Sequence, residues 1–196
     1  MTEAAPRVSN WNLPNIITVV RILLAPVFFW MLLADGGADT PLRYAAAALF
    51  IVAIATDGID GHIARSRNQV TDLGKLLDPI ADKVLTGAAL VGLSILAELP
   101  WWVTAIILVR EVGITVFRFA VLSDRVIPAS RGGKLKTLAQ SIAISLALVP
   151  FPSLFGSWFD WVNIITMSIA FVLTVITGID YLVQARRLSR SARAAS

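Results

Sequence analysis

Asp57-Gly-Ile-Asp60-Gly61-His62-Ile-Ala64-Arg65, then eight residues, then Gly74-Lys-Leu-Leu-Asp78-Pro79-Ile-Ala-Asp82 is the stretch on which the chain turns. Asp57 and Asp60 are three residues apart, and Asp78 and Asp82 are four apart. Either spacing puts a pair of side chains on one face of an α-helix. Apolar residues precede the first pair and follow the second, with a short polar loop between. The spacing therefore predicts two antiparallel membrane helices that aim four carboxylates at one point near the bilayer surface.

Four unpaired carboxylates there would be costly. One aspartate at the centre of a membrane helix costs about 2.5–3.5 kcal/mol, and clustering adds repulsion. Divalent cations that prefer oxygen ligands offset both terms. Gly61 and Ala64 are small residues on the Asp57/Asp60 face, where a ligand or neighbouring helix can approach closely. Arg65 adds a planar donor suited to a phosphate oxygen.

Working outward, the 196 residues are 57% hydrophobic and only 15% charged, with a mean hydropathy of +0.75. Soluble chains carry roughly 25% charge, so the composition is that of a membrane protein. Runs long enough to cross the hydrocarbon give six expected spans: Pro14 to Ala34, Leu42 to Ala64, Leu77 to Leu96, Pro100 to Leu122, Leu135 to Phe155 and Trp158 to Leu182. Turn and charge signals separate them, as at Asp35-Gly36-Gly37 and Ser130-Arg131-Gly132-Gly133. The expected fold is all-α, a polytopic bundle of six transmembrane helices forming a single domain over residues 1–196. Residues 1–13 are expected to lie at the cytoplasmic interface, and residues 186–196 to form a frayed basic tail at the anionic inner leaflet. Cysteine is absent, which removes disulfide and thiolate chemistry.

The net charge of +4 is distributed as orientation requires. Arg7, Arg65, Arg67, Lys75, Arg125, Arg131, Lys134, Lys136 and the tail arginines fall on one side. Arg43 stands on the other with Asp35, Asp39, Glu98 and Asp160. Both termini and the aspartates are thus expected on the cytoplasmic side of the cell membrane. Trp101, Trp102, Trp158 and Trp161 are expected as an outer aromatic belt. Nucleic acid is excluded as a partner, because no continuous basic surface with stacking aromatics is present. A cation transporter would carry polar residues at the midplane of several spans, whereas these acids gather at one end.

The defined positions Asp57, Asp60, Gly61, Ala64, Arg65, Gly74, Asp78 and Asp82 resemble the signature of the CDP-alcohol phosphatidyltransferase family. The resemblance implies a six-helix, dimeric membrane enzyme whose cavity opens to cytosol and lipid. It implies that Asp57, Asp60, Asp78 and Asp82 bind two divalent cations, Mg2+ or Mn2+, and that Asp82 is the general base. It places Gly61, Arg65 and Thr71, with Asn15 and Thr18, against CDP-diacylglycerol. His62, the one histidine, is read as interfacial packing; with no serine, cysteine or histidine an obvious nucleophile, a covalent phosphatidyl-enzyme is not expected.

Within that family, Asn12-Leu-Pro14-Asn15-Ile-Ile-Thr18-Val-Val-Arg21, Arg110-Glu111 with Arg118, and Gly133-Lys134-Leu-Lys136-Thr137 resemble members whose acceptor is glycerol 3-phosphate. Members that take phosphatidylglycerol share the Pro-Asn start, and those that take inositol phosphate are a third reading. Arg110 and Arg118, eight apart on one helical face, with Lys134 and Lys136 from the next span, form a cluster suited to a doubly negative acceptor. Arg110 and Glu111, being adjacent, point about 100° apart and are expected not to pair with each other.

The charge asymmetry predicts labelling. In this cysteine-free chain, Ser66→Cys and Ser191→Cys are expected to resist a membrane-impermeant thiol reagent in intact cells, and Gly37→Cys to react. External labelling at Ser66→Cys would invert the orientation.

Overall fold

The computed structural model describes residues 12–66, 71–121 and 131–194; the side chains of 59–66, 72, 75, 118–121, 131 and 185–194 lie outside that description. The described residues form seven helices and short turns, with no strand among them. They are α1 (Leu13–Asp35), α2 (Pro41–Ser66), α3 (Asp72–Ile95), α4 (Trp101–Val121), α5 (Arg131–Leu148), α6 (Phe151–Phe155) and α7 (Phe159–Ala194). The chain divides into two compact units, Met1–Gly92 and Leu93–Ser196.

In the first unit, α1 starts where the Asn12 side chain accepts a hydrogen bond from the Asn15 amide at 3.0 Å, with Pro14 in the first turn. Both are strong helix-start signals. It ends at Gly36, whose left-handed φ of 65° a side chain would disfavour. Its buried residues are Pro14, Asn15, Thr18, Arg21, Ala25, Phe28, Leu32 and Asp35. That spacing of three and four is one continuous face. The face is polar over its first two turns and apolar beyond. The apolar part packs Phe28 against Phe50 of α2, with ring centroids 5.5 Å apart. At Gly92 of α3, a Cβ would stand 2.5 Å from a Leu32 methyl, so this close approach of helices requires glycine. The α1–α2 turn is tied by Asp35, whose Oδ1 accepts from the Thr40 amide at 2.8 Å and from its hydroxyl.

In the second unit, α4 follows Pro100, and its Thr104 hydroxyl meets Ser94 at 2.7 Å in a buried pair. On α5, Lys136, Gln140, Ala143, Ile144 and Leu148 are buried together. On α7, Met167, Ala170, Thr174 and Gly178 form the matching inward stripe. Phe151, Phe155 and Phe159 cluster where α6 meets the start of α7, at centroid separations of 4.7–6.2 Å.

Helices cover each of the six expected spans, with three differences. Among the described residues, three stretches are long and apolar enough to cross a membrane: Leu13–Asp35, Pro41–Gly58 and Phe159–Gln184. The chain is therefore a membrane protein. By contrast α3 gathers Asp72, Lys75, Asp78, Asp82 and Lys83 in its first half, and α4 and α5 also carry internal charges. The expected fifth span is broken. Pro150 has no amide proton to continue α5, and a separate short α6 follows it. The basic tail is also not frayed: α7 remains helical to Ala194, since Ala185 through Ala194 holds no glycine or proline to stop it.

Candidate active site

The polar part of α1 is the frame on which the carboxylates sit. Thr71 caps α3: its Oγ1 accepts from the Gly74 amide at 3.0 Å. The same hydroxyl meets the Asn15 side chain, 2.8 Å from Nδ2 and 3.2 Å from Oδ1. Asn15 thus joins the start of α1 to the start of α3. Gly74 is required at this junction, because a Cβ there would lie 2.6 Å from Asn15 Oδ1. One turn along α1, the Thr18 hydroxyl shares its proton between the Pro14 carbonyl at 3.1 Å and Asp78 Oδ1 at 3.0 Å. One turn further, the buried Arg21 guanidinium is ion-paired with Asp57 Oδ1 of α2. Asn15, Thr18 and Arg21 therefore each hold a different point of the aspartate-bearing helices.

The carboxylates are close enough to act on one another. Asp57 is partly desolvated, attracted by Arg21, and repelled by Asp82 and, more weakly, by Asp78. Asp82 Oδ2 accepts from Lys83 Nζ at 2.8 Å. Asp57 is 45% exposed and Asp82 23% exposed, so part of each carboxylate stays open. Such a set of mutually repelling oxygen donors fits a hard divalent cation. Among the described residues, no three acidic or histidine side chains are close enough to hold a metal by themselves. The side chain of Asp60, the fourth expected ligand, lies outside the described residues, as do those of Gly61 and Arg65.

The second unit holds the expected acceptor cations. Arg110 Nη1 donates to Glu111 Oε1 at 2.8 Å, and Lys136 Nζ donates to the same oxygen. The expectation that Arg110 and Glu111 do not pair is therefore corrected. Adjacent Cβ bonds diverge, yet the long flexible arginine stem folds back far enough to reach its neighbour. Lys136 and Glu111 are both buried, and Lys134 is exposed. The Arg118 side chain lies outside the described residues. Glu111 thus gathers both cations. Its sequence signal was an acid inside an apolar span, flanked by arginine.

The family model for CDP-alcohol phosphatidyltransferase matches residues 11–177. The chain belongs to the CDP-alcohol phosphatidyltransferase family and is a transferase. A Mycobacterium tuberculosis protein named "Probable phosphatidylglycerophosphate synthase" is 46% identical over 185 residues, covering 94% of this chain and 87% of the relative. Proteins named CDP-diacylglycerol–glycerol-3-phosphate 3-phosphatidyltransferase are also similar. That of Bacillus subtilis is 38% identical, over 87% of this chain and 93% of the relative. That of Shigella flexneri is 38% identical, over 90% of this chain and 96% of the relative.

The Thr71 cap makes a stability prediction. Thr71→Val is expected to cost about 1 kcal/mol, the usual worth of an N-cap, and to lower the melting temperature in detergent. Thr71→Ser should keep both cap and stability. Equal melting of the two variants would show that the Thr71 hydroxyl does not hold the helix start.

Proposed function

We propose that the chain transfers the phosphatidyl group of CDP-diacylglycerol to glycerol 3-phosphate, releasing CMP and phosphatidylglycerophosphate. The observation that carries this is the pair of carboxylates Asp57 and Asp78, held by Arg21 and Thr18 while Asn15 ties down the Thr71 cap of α3, in a chain whose similar relatives bear the names of that reaction. Asp57, Asp60, Asp78 and Asp82 would hold two divalent cations, Mg2+ or Mn2+. Such cations, when bound, neutralise a diphosphate and stabilise a CMP leaving group.

The remaining work falls to the chain's own residues. Asp82 takes the proton from the acceptor hydroxyl. The hydroxyl oxygen forms a bond to the phosphorus that bears diacylglycerol, and the bond from that phosphorus to CMP breaks. Gly61, Arg65 and Thr71, with Asn15 and Thr18, are the proposed neighbours of the CDP-lipid. Because Asn15 and Thr71 are buried on one another, they shape that region as well as line it. Arg110, Arg118, Lys134 and Lys136 are proposed to bind the acceptor, with Lys136 and Arg110 already oriented by Glu111. The reading also includes six spans, cytoplasmic termini, contact with membrane lipids and a homodimer.

An acceptor panel tests this. With CDP-diacylglycerol present, CMP release is expected with glycerol 3-phosphate and not with phosphatidylglycerol, inositol phosphate or serine. Asp82→Asn should retain CDP-lipid binding better than it retains CMP release, because it removes the base with little change of shape. Release with phosphatidylglycerol alone would transfer the reading to the second acceptor class.

A further inference from the structure

Arg110 is held by more than its neighbour on α4. Its Nη2 donates to Thr177 Oγ1 of α7 at 2.9 Å. Its stem lies along Gly178, where a Cβ would stand 3.1 Å from Arg110 Cγ and 3.3 Å from Nε. Nε is buried there and has no hydrogen-bond partner among the described residues. The Thr177 hydroxyl spends its own proton within α7, on the Leu173 carbonyl at 2.7 Å and the Thr174 carbonyl at 3.2 Å. A hydroxyl so committed can only accept at its remaining lone pair, and the donor it meets is Arg110.

The guanidinium has five N–H groups in a fixed plane. Glu111 takes one, Thr177 takes one, and the Nε–H is packed against Gly178. Among the described residues, two N–H groups on the terminal nitrogens remain, on a side chain that is 18% exposed. A guanidinium restrained on three sides has lost most of its rotamer freedom before any ligand arrives, so less is lost on binding.

We propose that Thr177 and Gly178 are positioning residues: with Glu111 they fix the plane of Arg110 so that its two remaining N–H groups meet the phosphate of the acceptor. The inference rests on the assignment of Arg110 to the acceptor and adds that α7, through the uncharged Thr177 and Gly178, sets its geometry. Thr177 supplies an acceptor aimed by its own helix. Gly178 supplies the absence of a side chain where the arginine stem must lie.

The test is steady-state kinetics of the full-length enzyme, with glycerol 3-phosphate and CDP-diacylglycerol varied in turn. Thr177→Val keeps the side-chain shape and removes the hydroxyl. Gly178→Ala adds one methyl against the arginine stem. Each is expected to raise KM for glycerol 3-phosphate by about 2- to 10-fold, the worth of one hydrogen bond. KM for CDP-diacylglycerol and kcat should change little. Thr177→Ser should restore the wild-type acceptor KM, and Arg110→Gln should raise it at least as much as either α7 variant. A general weakening of the fold would instead lower kcat and the yield of folded protein together. If wild type turns over glycerol 3-phosphate and Arg110→Gln raises its KM, but both α7 variants match wild type, the positioning role is overturned and the assigned function stands. If wild type does not use glycerol 3-phosphate, or if Arg110→Gln leaves its KM unchanged, the acceptor assignment falls and the positioning role falls with it.

Discussion

A guanidinium buried in an apolar helix, paired with a carboxylate on the next helix, is the interaction on which the first unit depends. Arg21 is 2% exposed within α1, where a charge without a partner would be opposed by several kcal/mol of desolvation. Asp57 removes that penalty and is itself held in place. Removing Asp57 leaves the buried Arg21 charge without that partner, which is more damaging than never having built the pair. Thr18 on Asp78 and Asn15 on Thr71 extend the same solution one and two turns along α1. The helix that contributes none of the aspartates thus determines where they stand. Its apolar continuation, Ala25, Phe28 and Leu32, packs that frame against α2 and α3.

The second unit solves the same problem with opposite stoichiometry. One buried carboxylate, Glu111, serves two cations, Arg110 and Lys136. The trio keeps a net positive charge, which an arriving dianion can meet, while no member is buried without compensation. Thr177 and Gly178 then restrain the arginine without adding charge. In both units an uncharged polar or small residue on one helix governs a charged residue on another.

Much of this was legible in the sequence. The aspartate spacings of three and four survive as helical faces because they depend only on the helical period, and α2 and α3 carry them as expected. Asn15, Thr18 and Arg21 could be read as a motif, but their partners could not, since those lie 36 to 60 residues away. Thr71-Asp-Leu-Gly74 carries a cap signal that its reading as a ligand contact obscured. The Arg110–Glu111 pair was misread because the rule for adjacent helical residues concerns Cβ directions and not the reach of a long stem. Gly178 gave no sequence signal: its role exists only because an arginine 68 positions earlier lies against it. The break at Pro150 was readable and was passed over in favour of an unbroken apolar run.

We propose that the carboxylates held by α1, Asp57 and Asp78, belong to one divalent-cation site serving phosphatidyl transfer. Mn2+ binding to the purified, metal-stripped protein, followed by electron paramagnetic resonance of the free ion, tests it without reference to turnover. Wild type is expected to deplete the free Mn2+ signal, and Asp57→Asn and Asp78→Asn, folded and monodisperse, each to lose that depletion. Undiminished Mn2+ uptake by both variants would contradict the proposal.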